Sequence, residues 1–400
     1  MTQSEAMRGM RMPTDGSVPV EIGHDTESVI AILKMVGQAC NIDCSYCYER
    51  RKPDQAGALD AGQVQLFLKQ LGTRNVHCIL HGGEPLLLGK RRMAAVLEVL
   101  RDSPNAASVA IQTNAVRLDE GWLQLFDRYC PELTWGVSFD GVGRQAKYRI
   151  GYDGKQTDEA TLAGIRLLGS TGHSFGLICV VTSAHVGGGQ EFMETVRHFE
   201  GLASVKLLPC YDQDVSLRPR ATASGKLMQL YAGDRDGRGD RPGWTISPAD
   251  YAEFVADAQE TWISSGAWRR FSLEPTVSIA SNLSGLEGTY TDYSLTKDGQ
   301  VLTLYPGGRV AGHDRGHEFI VNETTTDRIG ELLDAQLAQA DSDWAPFLAE
   351  CSSCSVWAGC RGSELFMRKV MRDAGLSNEF CDARRTIVSS VEQLLSGSQR

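Results

Sequence analysis

Short apolar runs alternate regularly with amphipathic helical patterns over the first two thirds of the chain. Six of these runs are rich in β-branched or aromatic residues and are too short to be buried helices. They cover residues 29–36, 77–80, 108–114, 133–140, 175–182 and 204–210, with helical patterns at 61–72, 90–102, 159–170 and 190–201. Because connections between parallel strands are right-handed, we expect an α/β fold in which six strands curl into a partial (β/α)6 TIM barrel.

Small and polar residues follow the predicted strands. Three cysteines come after the first strand, "HGGEP" (81–85) after the second, "QTN" (112–114) ends the third, and "SFDG" (138–141) follows the fourth. The carboxyl ends of parallel strands meet at one edge of a sheet, and catalytic loops of such folds lie there. The sequence therefore predicts a single functional rim.

The cysteines of that rim are Cys40, Cys44 and Cys47, spaced C-x3-C-x2-C without a close fourth partner. Soft thiolates favour zinc, copper(I) or iron–sulfur centres, and a structural zinc ion requires a fourth ligand. Three cysteines suit a cubane cluster that leaves one iron open to a small molecule. Gly82 and Gly83 would allow close backbone approach to that molecule, and Glu84 could hold a cationic amine.

Composition limits the partners and the cellular compartment that the chain is expected to have. The net charge of -10 argues against a nucleic-acid partner. No window approaches the roughly 18 apolar residues of a membrane span, and the polar start lacks the apolar region of a signal peptide. Seven of the 11 cysteines fall into two clusters instead of a spread disulfide framework. We expect a cytoplasmic protein with no membrane partner.

The isolated cysteines, Cys78, Cys130, Cys179 and Cys210, are expected to be core residues.

The cysteine spacing, with the aromatic Tyr46 before the last cysteine and GGEP at the next strand tip, resembles the radical S-adenosylmethionine (SAM) enzymes. This resemblance implies an oxidoreductase in which Cys40, Cys44 and Cys47 bind a 4Fe-4S cluster whose fourth iron chelates SAM. It also implies a 5'-deoxyadenosyl radical that abstracts hydrogen, and an external electron donor such as flavodoxin or ferredoxin. The cofactor-binding residues that it implies are Tyr46, Gly82, Gly83, Glu84, Asn114 and Ser138. Asn114 and Ser138 have an alternative interpretation as strand-end caps.

A second cysteine cluster near the C-terminus comprises Cys351, Cys354, Cys360 and Cys381, which could ligate a 4Fe-4S cluster or a zinc ion. The pattern resembles the SPASM or twitch-like extension of radical SAM enzymes, which in its full form holds two auxiliary clusters. Glu364 stands where the family has a further cysteine, and His313 replaces another. The resemblance therefore implies one auxiliary cluster, held by these four cysteines.

The segment "GGRVAGHD" resembles the family element "DGxVxxCD", in which sulfatase-maturating relatives carry a proposed general base. The matching residue is Asp314, which we identify as a candidate catalytic base. A turn capped by Asp314 is the alternative.

The resemblance divides the chain into a polar segment (1–28), a radical SAM partial barrel (29–235), a connecting helical region (236–290) and a SPASM-like α+β domain (291–400). It covers most of the chain and extends to peptide maturases of the cyclophane-forming type and to anaerobic sulfatase-maturating enzymes.

Three functions are consistent with these features. The first is oxidative crosslinking of a ribosomally made precursor peptide. The second is dehydrogenation or epimerisation of a small natural-product intermediate such as an aminosugar. The third is a zinc or iron–sulfur protein without catalysis, against which the intact rim motifs argue. Sulfatase maturation itself is disfavoured because the two-cluster arrangement is broken.

Overall fold

The computed structural model describes residues 28–47, 49, 57–211, 243–294, 301–312, 318–320, 328–351 and 353–397. Residues 1–27 of the predicted polar segment and both His313 and Asp314 lie outside these ranges.

One open sheet organises the molecule, and its central strands are parallel. They are β1 (Ser28–Lys34), β2 (Asn75–His81), β3 (Ala106–Thr113), β4 (Thr134–Ser138), β5 (Phe175–Val181), β6 (Leu202–Pro209) and β7 (Ser272–Glu274). Each pairs in parallel with the next along the chain. The six predicted strands and the partial barrel are confirmed, and β7 adds a short seventh strand beside β6.

Helices connect these strands and cover the sheet. They are α1 (Ala61–Gln70), α2 (Lys90–Asp102), α3 (Glu120–Tyr129), α4 (Asp158–Ser170), α5 (Gly189–Val196) and α6 (Pro248–Ser264). Capping side chains fix the starts of two of them. Asp60 forms a capping box with Gln63 at the start of α1. Ser247, the residue before Pro248, accepts a hydrogen bond from the Asp250 backbone N–H at the start of α6. Helix α3, which buries Trp122, Leu123 and Phe126, is an addition to the predicted helices.

The C-terminal region extends the same sheet at its other edge. Strand β8 (Val301–Tyr305) pairs in parallel with β1, and it forms a hairpin with β9 (Arg309–Ala311), which pairs with β10 (Glu318–Ile320). The remaining helices are α7 (Thr276–Leu283), α8 (Arg328–Cys351), α9 (Trp357–Cys360), α10 (Leu365–Asp373) and α11 (Ser377–Gly397). The sheet therefore continues across the predicted domain boundary near residue 290.

Helix α11 packs against α6 and α7, which joins the C-terminal cysteines to the barrel. The Ser390 hydroxyl donates to the Gln259 side-chain oxygen at 2.6 Å. The Asn282 amide donates to the backbone oxygens of Tyr293 at 2.6 Å and Gly359 at 3.1 Å. Within the described part of the chain, every helix is too short or too polar to cross a lipid bilayer.

At the rim, the backbone of Gly83 lies very close to Ala39, in the segment that leads into the first three cysteines. A Cβ on Gly83 would stand 1.9 Å from the Ala39 carbonyl oxygen and 2.3 Å from its carbon, distances that no rotamer can relieve. We expect Gly83→Ala to lower the free energy of unfolding by at least about 3 kcal/mol, measured by denaturant unfolding.

Gly330→Ala is the matched control, since Gly330 lies in helix α8 with open space around its Cβ position. Alanine should stabilise the helix there by roughly 0.5 kcal/mol. Equal effects of the two substitutions would contradict the close approach at Gly83.

Candidate active site

A cavity of about 420 Å³ lies at the carboxyl ends of the parallel strands. Its wall brings together the residues that the sequence placed at the rim, which come from segments far apart in the chain. They are Cys40, Cys44, Tyr46, Cys47, Gly82, Gly83, Asn114 and Ser138. Of the six predicted cofactor-binding residues, Glu84 alone is not part of this wall.

Backbone hydrogen bonds hold the cysteine loop, residues 35–47, against the tip of β2. The Gly83 N–H donates to the Gly37 oxygen and the Glu84 N–H to the Ala39 oxygen, both at 2.8 Å. Gly82 has a φ of +119°, which favours glycine. The two glycines therefore let the strand tip and the loop lie in direct backbone contact.

The Glu84 carboxylate is completely buried and accepts three hydrogen bonds. The donors are the Thr113 hydroxyl at 2.8 Å, the Asn114 N–H at 2.8 Å and the Leu86 N–H at 3.0 Å. Burial raises the pKa of Glu84, and these hydrogen bonds act in the opposite direction. Glu84 thus fixes the end of β3 against the tip of β2, and its contact with a SAM amine stays a prediction.

Asn114 and Ser138 both face the cavity and are both hydrogen-bonded within the protein. The Asn114 amide donates to the Asn41 side-chain oxygen at 2.9 Å and lies 3.6 Å from the Cys40 sulfur. Ser138 accepts a hydrogen bond from Gln112 at 2.9 Å. Asn114 therefore orients the loop beside its first cysteine, while contact of either residue with SAM stays a prediction.

A buried ion pair joins the end of β1 to the residue that follows the cysteine loop by two positions. The Lys34 ammonium lies 2.5 Å from the Glu49 carboxylate, and Glu49 also lines the cavity. Removing either side chain would leave the other charge buried without a counter-charge, which strongly destabilises the folded protein.

A second network, centred on Asp140, joins the loop to the tips of β4 and β5. The Tyr46 hydroxyl donates to one Asp140 carboxylate oxygen, and the Val180 N–H donates to the other at 3.0 Å. Arg149 donates to the Tyr46 hydroxyl at 3.3 Å. The tyrosine between the second and third cysteines is therefore fixed to the barrel rim.

Arg149 supplies positive charge beside the loop. Burial alone would lower its pKa, but Cys44, Tyr46 and Asp140 together raise it above its ordinary value, so the guanidinium keeps its charge. Arg149 belongs to no sequence motif, and Asp140 lies in the predicted strand-end segment 138–141 without having been assigned a role.

Burial raises the pKa of Cys40 to about 11 and that of Cys44 to about 12. Both thiols are therefore protonated at neutral pH, and ligation of iron must displace those protons. The positive charge of Arg149 lowers both values and so favours the thiolate forms that a cluster needs. The donor set fits a cubane with three protein ligands.

The four C-terminal cysteines line a separate cavity of about 220 Å³ together with Arg368, Arg384 and Arg385. They surround this space instead of converging on a point: no group of three or more His, Cys, Asp or Glu in the described ranges could hold one metal ion. Burial raises the pKa of the Cys360 thiol, but the charge and hydrogen bond of Arg384 outweigh it and hold that pKa below its ordinary value. Four thiolates form a complete ligand set for a 4Fe-4S cluster.

The C-terminal region also contributes to the wall of the first cavity. Tyr290, Asp292, Glu364 and Met367 line it opposite the cysteine loop. Asp292 accepts hydrogen bonds from the Ser363 hydroxyl at 2.8 Å and the Glu364 N–H at 3.2 Å. Asp292 follows no sequence motif, so only the folded chain identifies it.

The isolated cysteines occupy two kinds of site. Cys78 and Cys179 are buried in the core and Cys130 packs against it, as predicted. Cys210 directly follows β6 and lines the first cavity, so the prediction that it is a core residue is wrong. The candidate base Asp314 and His313 lie outside the described residues.

Residues 35–202 match the family model described as the radical SAM superfamily. The chain is 26% identical over 345 residues to a serine-type anaerobic sulfatase-maturating enzyme of Klebsiella aerogenes, covering 83% of this chain and 78% of the relative. It is 23% identical over 238 residues to a cysteine-type enzyme of Clostridium novyi (strain NT), covering 53% and 62%.

Two solved structures share the fold. Native anSMEcpe with bound AdoMet superimposes with a TM-score of 0.73 at 18% identity, covering 92% of this chain and 98% of that one. Streptococcus suis SuiB bound to its precursor peptide SuiA gives 0.55 at 13% identity, covering 84% and 71%.

The open parallel barrel with three rim thiols and its family match define a radical SAM domain, whose cofactors are a 4Fe-4S cluster and SAM. The chain thus contains a radical SAM domain over residues 35–202, and over most of its length it is similar to anaerobic sulfatase-maturating enzymes.

Removing the Tyr46 hydroxyl should loosen the cysteine loop, because the buried Asp140 carboxylate would lose a donor. We expect Tyr46→Phe to cost about 1–3 kcal/mol of unfolding free energy and to reduce iron per chain after anaerobic reconstitution.

Tyr152→Phe is the control, because the Tyr152 hydroxyl donates to the Cys40 oxygen at 3.3 Å from a side chain that is 66% exposed. Its cost should stay under about 0.5 kcal/mol. Equal losses in the two variants would show that the Tyr46–Asp140 contact does not hold the loop.

Proposed function

We propose that this enzyme oxidatively modifies a ribosomally synthesised precursor peptide and introduces a crosslink such as a cyclophane. The observation that carries this proposal is the shared cavity, in which the cysteine loop and the C-terminal residues Asp292, Glu364 and Met367 face the same space. Its support from related proteins is that sulfatase-maturating enzymes match most of the chain, and that anSMEcpe and SuiB have been solved with peptides.

When bound, the cluster supplies the electron that cleaves SAM into methionine and a 5'-deoxyadenosyl radical. The chain provides the surroundings. Gly82 and Gly83 line the cavity at the strand tip where SAM would bind, and Asn114 and Ser138 line it as polar residues. Trp244, Tyr211 and Met367 add apolar surface that limits water at the reacting carbon.

Closing a crosslink removes one hydrogen atom, one proton and one electron from the peptide. The proton needs a base, and we assign that role to Asp314 on its match to the family element. Asp292 is the alternative carboxylate, since it lines the cavity and is held in place by Ser363 and Glu364. The electron needs an acceptor, for which the four-thiol site is the candidate.

The cofactors also indicate which electron donor and which cellular compartment the enzyme needs. An external donor such as flavodoxin or ferredoxin would supply the first electron, and seven clustered thiols require a reducing compartment, for which we propose the cytoplasm.

One observation favours a second candidate, a dehydrogenase or epimerase of a small amine-bearing intermediate such as an aminosugar. Asp292 and Glu364 present two carboxylates to the cavity, and carboxylates pair with ammonium groups. The same substrate would need no peptide-binding surface outside the cavity.

Anaerobic turnover with SAM, a reductant and the short peptide encoded beside the gene tests the first proposal. We expect deoxyadenosine together with a peptide that is lighter by two hydrogens, about 2 Da by mass spectrometry, because a crosslink removes both from the substrate. Cys44→Ala should abolish both products. Deoxyadenosine with an unchanged peptide would favour the small-molecule function, and wild-type turnover by Cys44→Ala would contradict the radical SAM site.

Asp314→Asn should still cleave SAM but should lose at least about tenfold in crosslinked peptide, because general-base catalysis contributes on that order or more. Asp292→Asn serves as the comparison in the same assay. Full product from Asp314→Asn together with loss of product in Asp292→Asn would identify Asp292 as the base. Full product from both variants would show that neither carboxylate is the base.

A further inference from the structure

Each of the four C-terminal cysteine sulfurs lies beside an arginine. Arg368 donates to the sulfurs of Cys351 at 3.0 Å and Cys381 at 3.2 Å. Arg384 donates to the sulfur of Cys360 at 3.0 Å. Arg385, on the protein surface, hydrogen-bonds the side chain of Cys354.

Arg368 and Arg384 are only 6% and 5% exposed, so their charges are almost removed from water. A buried charge without a counter-charge costs several kcal/mol. In the described ranges, no carboxylate forms an ion pair with either guanidinium. Their N–H groups contact cysteine sulfurs and backbone oxygens, so two buried positive charges face the four-thiol site.

The remaining contacts of the two arginines fix their orientation. Arg368 donates to the Gly362 oxygen at 2.7 Å and Arg384 to the Cys360 oxygen at 2.9 Å. The Arg384 guanidinium also lies 4.0 Å from the centre of the Tyr293 ring, a cation–π contact. A planar guanidinium held in this way loses little conformational freedom when it hydrogen-bonds a sulfur, so its N–H groups are preorganised for that contact.

We propose that Arg368 and Arg384 form a clamp that neutralises an auxiliary iron–sulfur cluster and raises its reduction potential. Four thiolates give such a cluster a net negative charge, which grows when an electron is added. Hydrogen bonds to the sulfurs and nearby positive charge stabilise the reduced form more than the oxidised form. The clamp therefore makes this cluster a better electron acceptor than the same four cysteines would make alone.

The proposal rests on the iron–sulfur content proposed for this site, and it deepens that proposal by assigning residues that control its redox chemistry. Arg368 and Arg384 are positioning residues, since they act through the cysteine sulfurs and not on the peptide.

The test uses the full chain with Cys40, Cys44 and Cys47 changed to alanine, so that only the auxiliary cluster remains. This parent should carry about four irons, and the midpoint is measured by redox titration followed by electron paramagnetic resonance. Arg368→Gln and Arg384→Gln should each lower the equilibrium constant of one-electron reduction about tenfold, which is a negative shift of about 59 mV.

Arg372→Gln is the matched control, because Arg372 lies one turn after Arg368 in α10 but is exposed and pairs with Glu350 at 3.4 Å. Its equilibrium constant should change less than about threefold, since an exposed, ion-paired charge is screened by solvent and salt. Equal shifts in all three variants, or no shift in the first two, would overturn the proposal.

A second measurement does not depend on whether the glutamine variants retain iron. With ¹⁵N-arginine incorporated into the parent, the reduced cluster should show ¹⁵N couplings in electron spin-echo spectra, because guanidinium nitrogens lie beside its sulfurs. Absence of these couplings, or zinc in place of iron in the parent, would refute the clamp. Deoxyadenosine and peptide mass are assayed separately on the unmodified chain, so failure of the peptide proposal would leave the potential measurement unaffected.

Discussion

Two backbone hydrogen bonds, from Gly83 to Gly37 and from Glu84 to Ala39, set the position of the cysteine loop relative to the sheet. They form because Gly83 has no Cβ, and the space that a side chain would need is filled by the Ala39 carbonyl. The ion pair of Lys34 with Glu49 and the contact of Tyr46 with Asp140 then fix the remainder of the loop. Three thiols on a mobile loop would not maintain one geometry, whereas this loop is tied to β1, β2 and β4.

Much of the site is built from side chains that hold other parts of the protein in place. Glu84 binds the tip of β3, and His185 donates through Nε2 to the Asp140 carbonyl at 2.7 Å while its Nδ1 accepts from the Thr182 N–H at 3.0 Å. Burial lowers the pKa of His185, so it acts as a neutral ring with a fixed tautomer. A rim made of strand ends thereby becomes rigid enough to direct reactive chemistry.

The sequence was sufficient for the six barrel strands and for the residues that line the cavity from the cysteine loop and strand tips. Both depend on local signals, namely β-branched runs and short motifs at the ends of strands. Helix α3 was missed although its signal is local, since Trp122, Leu123 and Phe126 follow helical spacing and Asp119 caps its start. Arg149 and Asp292 became site residues only through folding, and the contacts of Asp140, in a predicted strand-end segment, also depend on partners far away in the sequence. The pairing of β8 with β1 was equally invisible, because strand order is a property of the assembled sheet and not of either segment.

That pairing has a consequence for how the chain folds during synthesis. Strand β1 carries the cysteine loop, yet its second neighbour, β8, begins at Val301. Until the ribosome has released that segment, β1 presents an open hydrogen-bonding edge made of "SVIAILK", a sequence of high β-propensity. The strand nearest the reactive centre is thus the one most exposed to wrong pairing in the nascent chain, and early contact between β1 and β2, whose residues are much closer in sequence, limits that exposure to one edge.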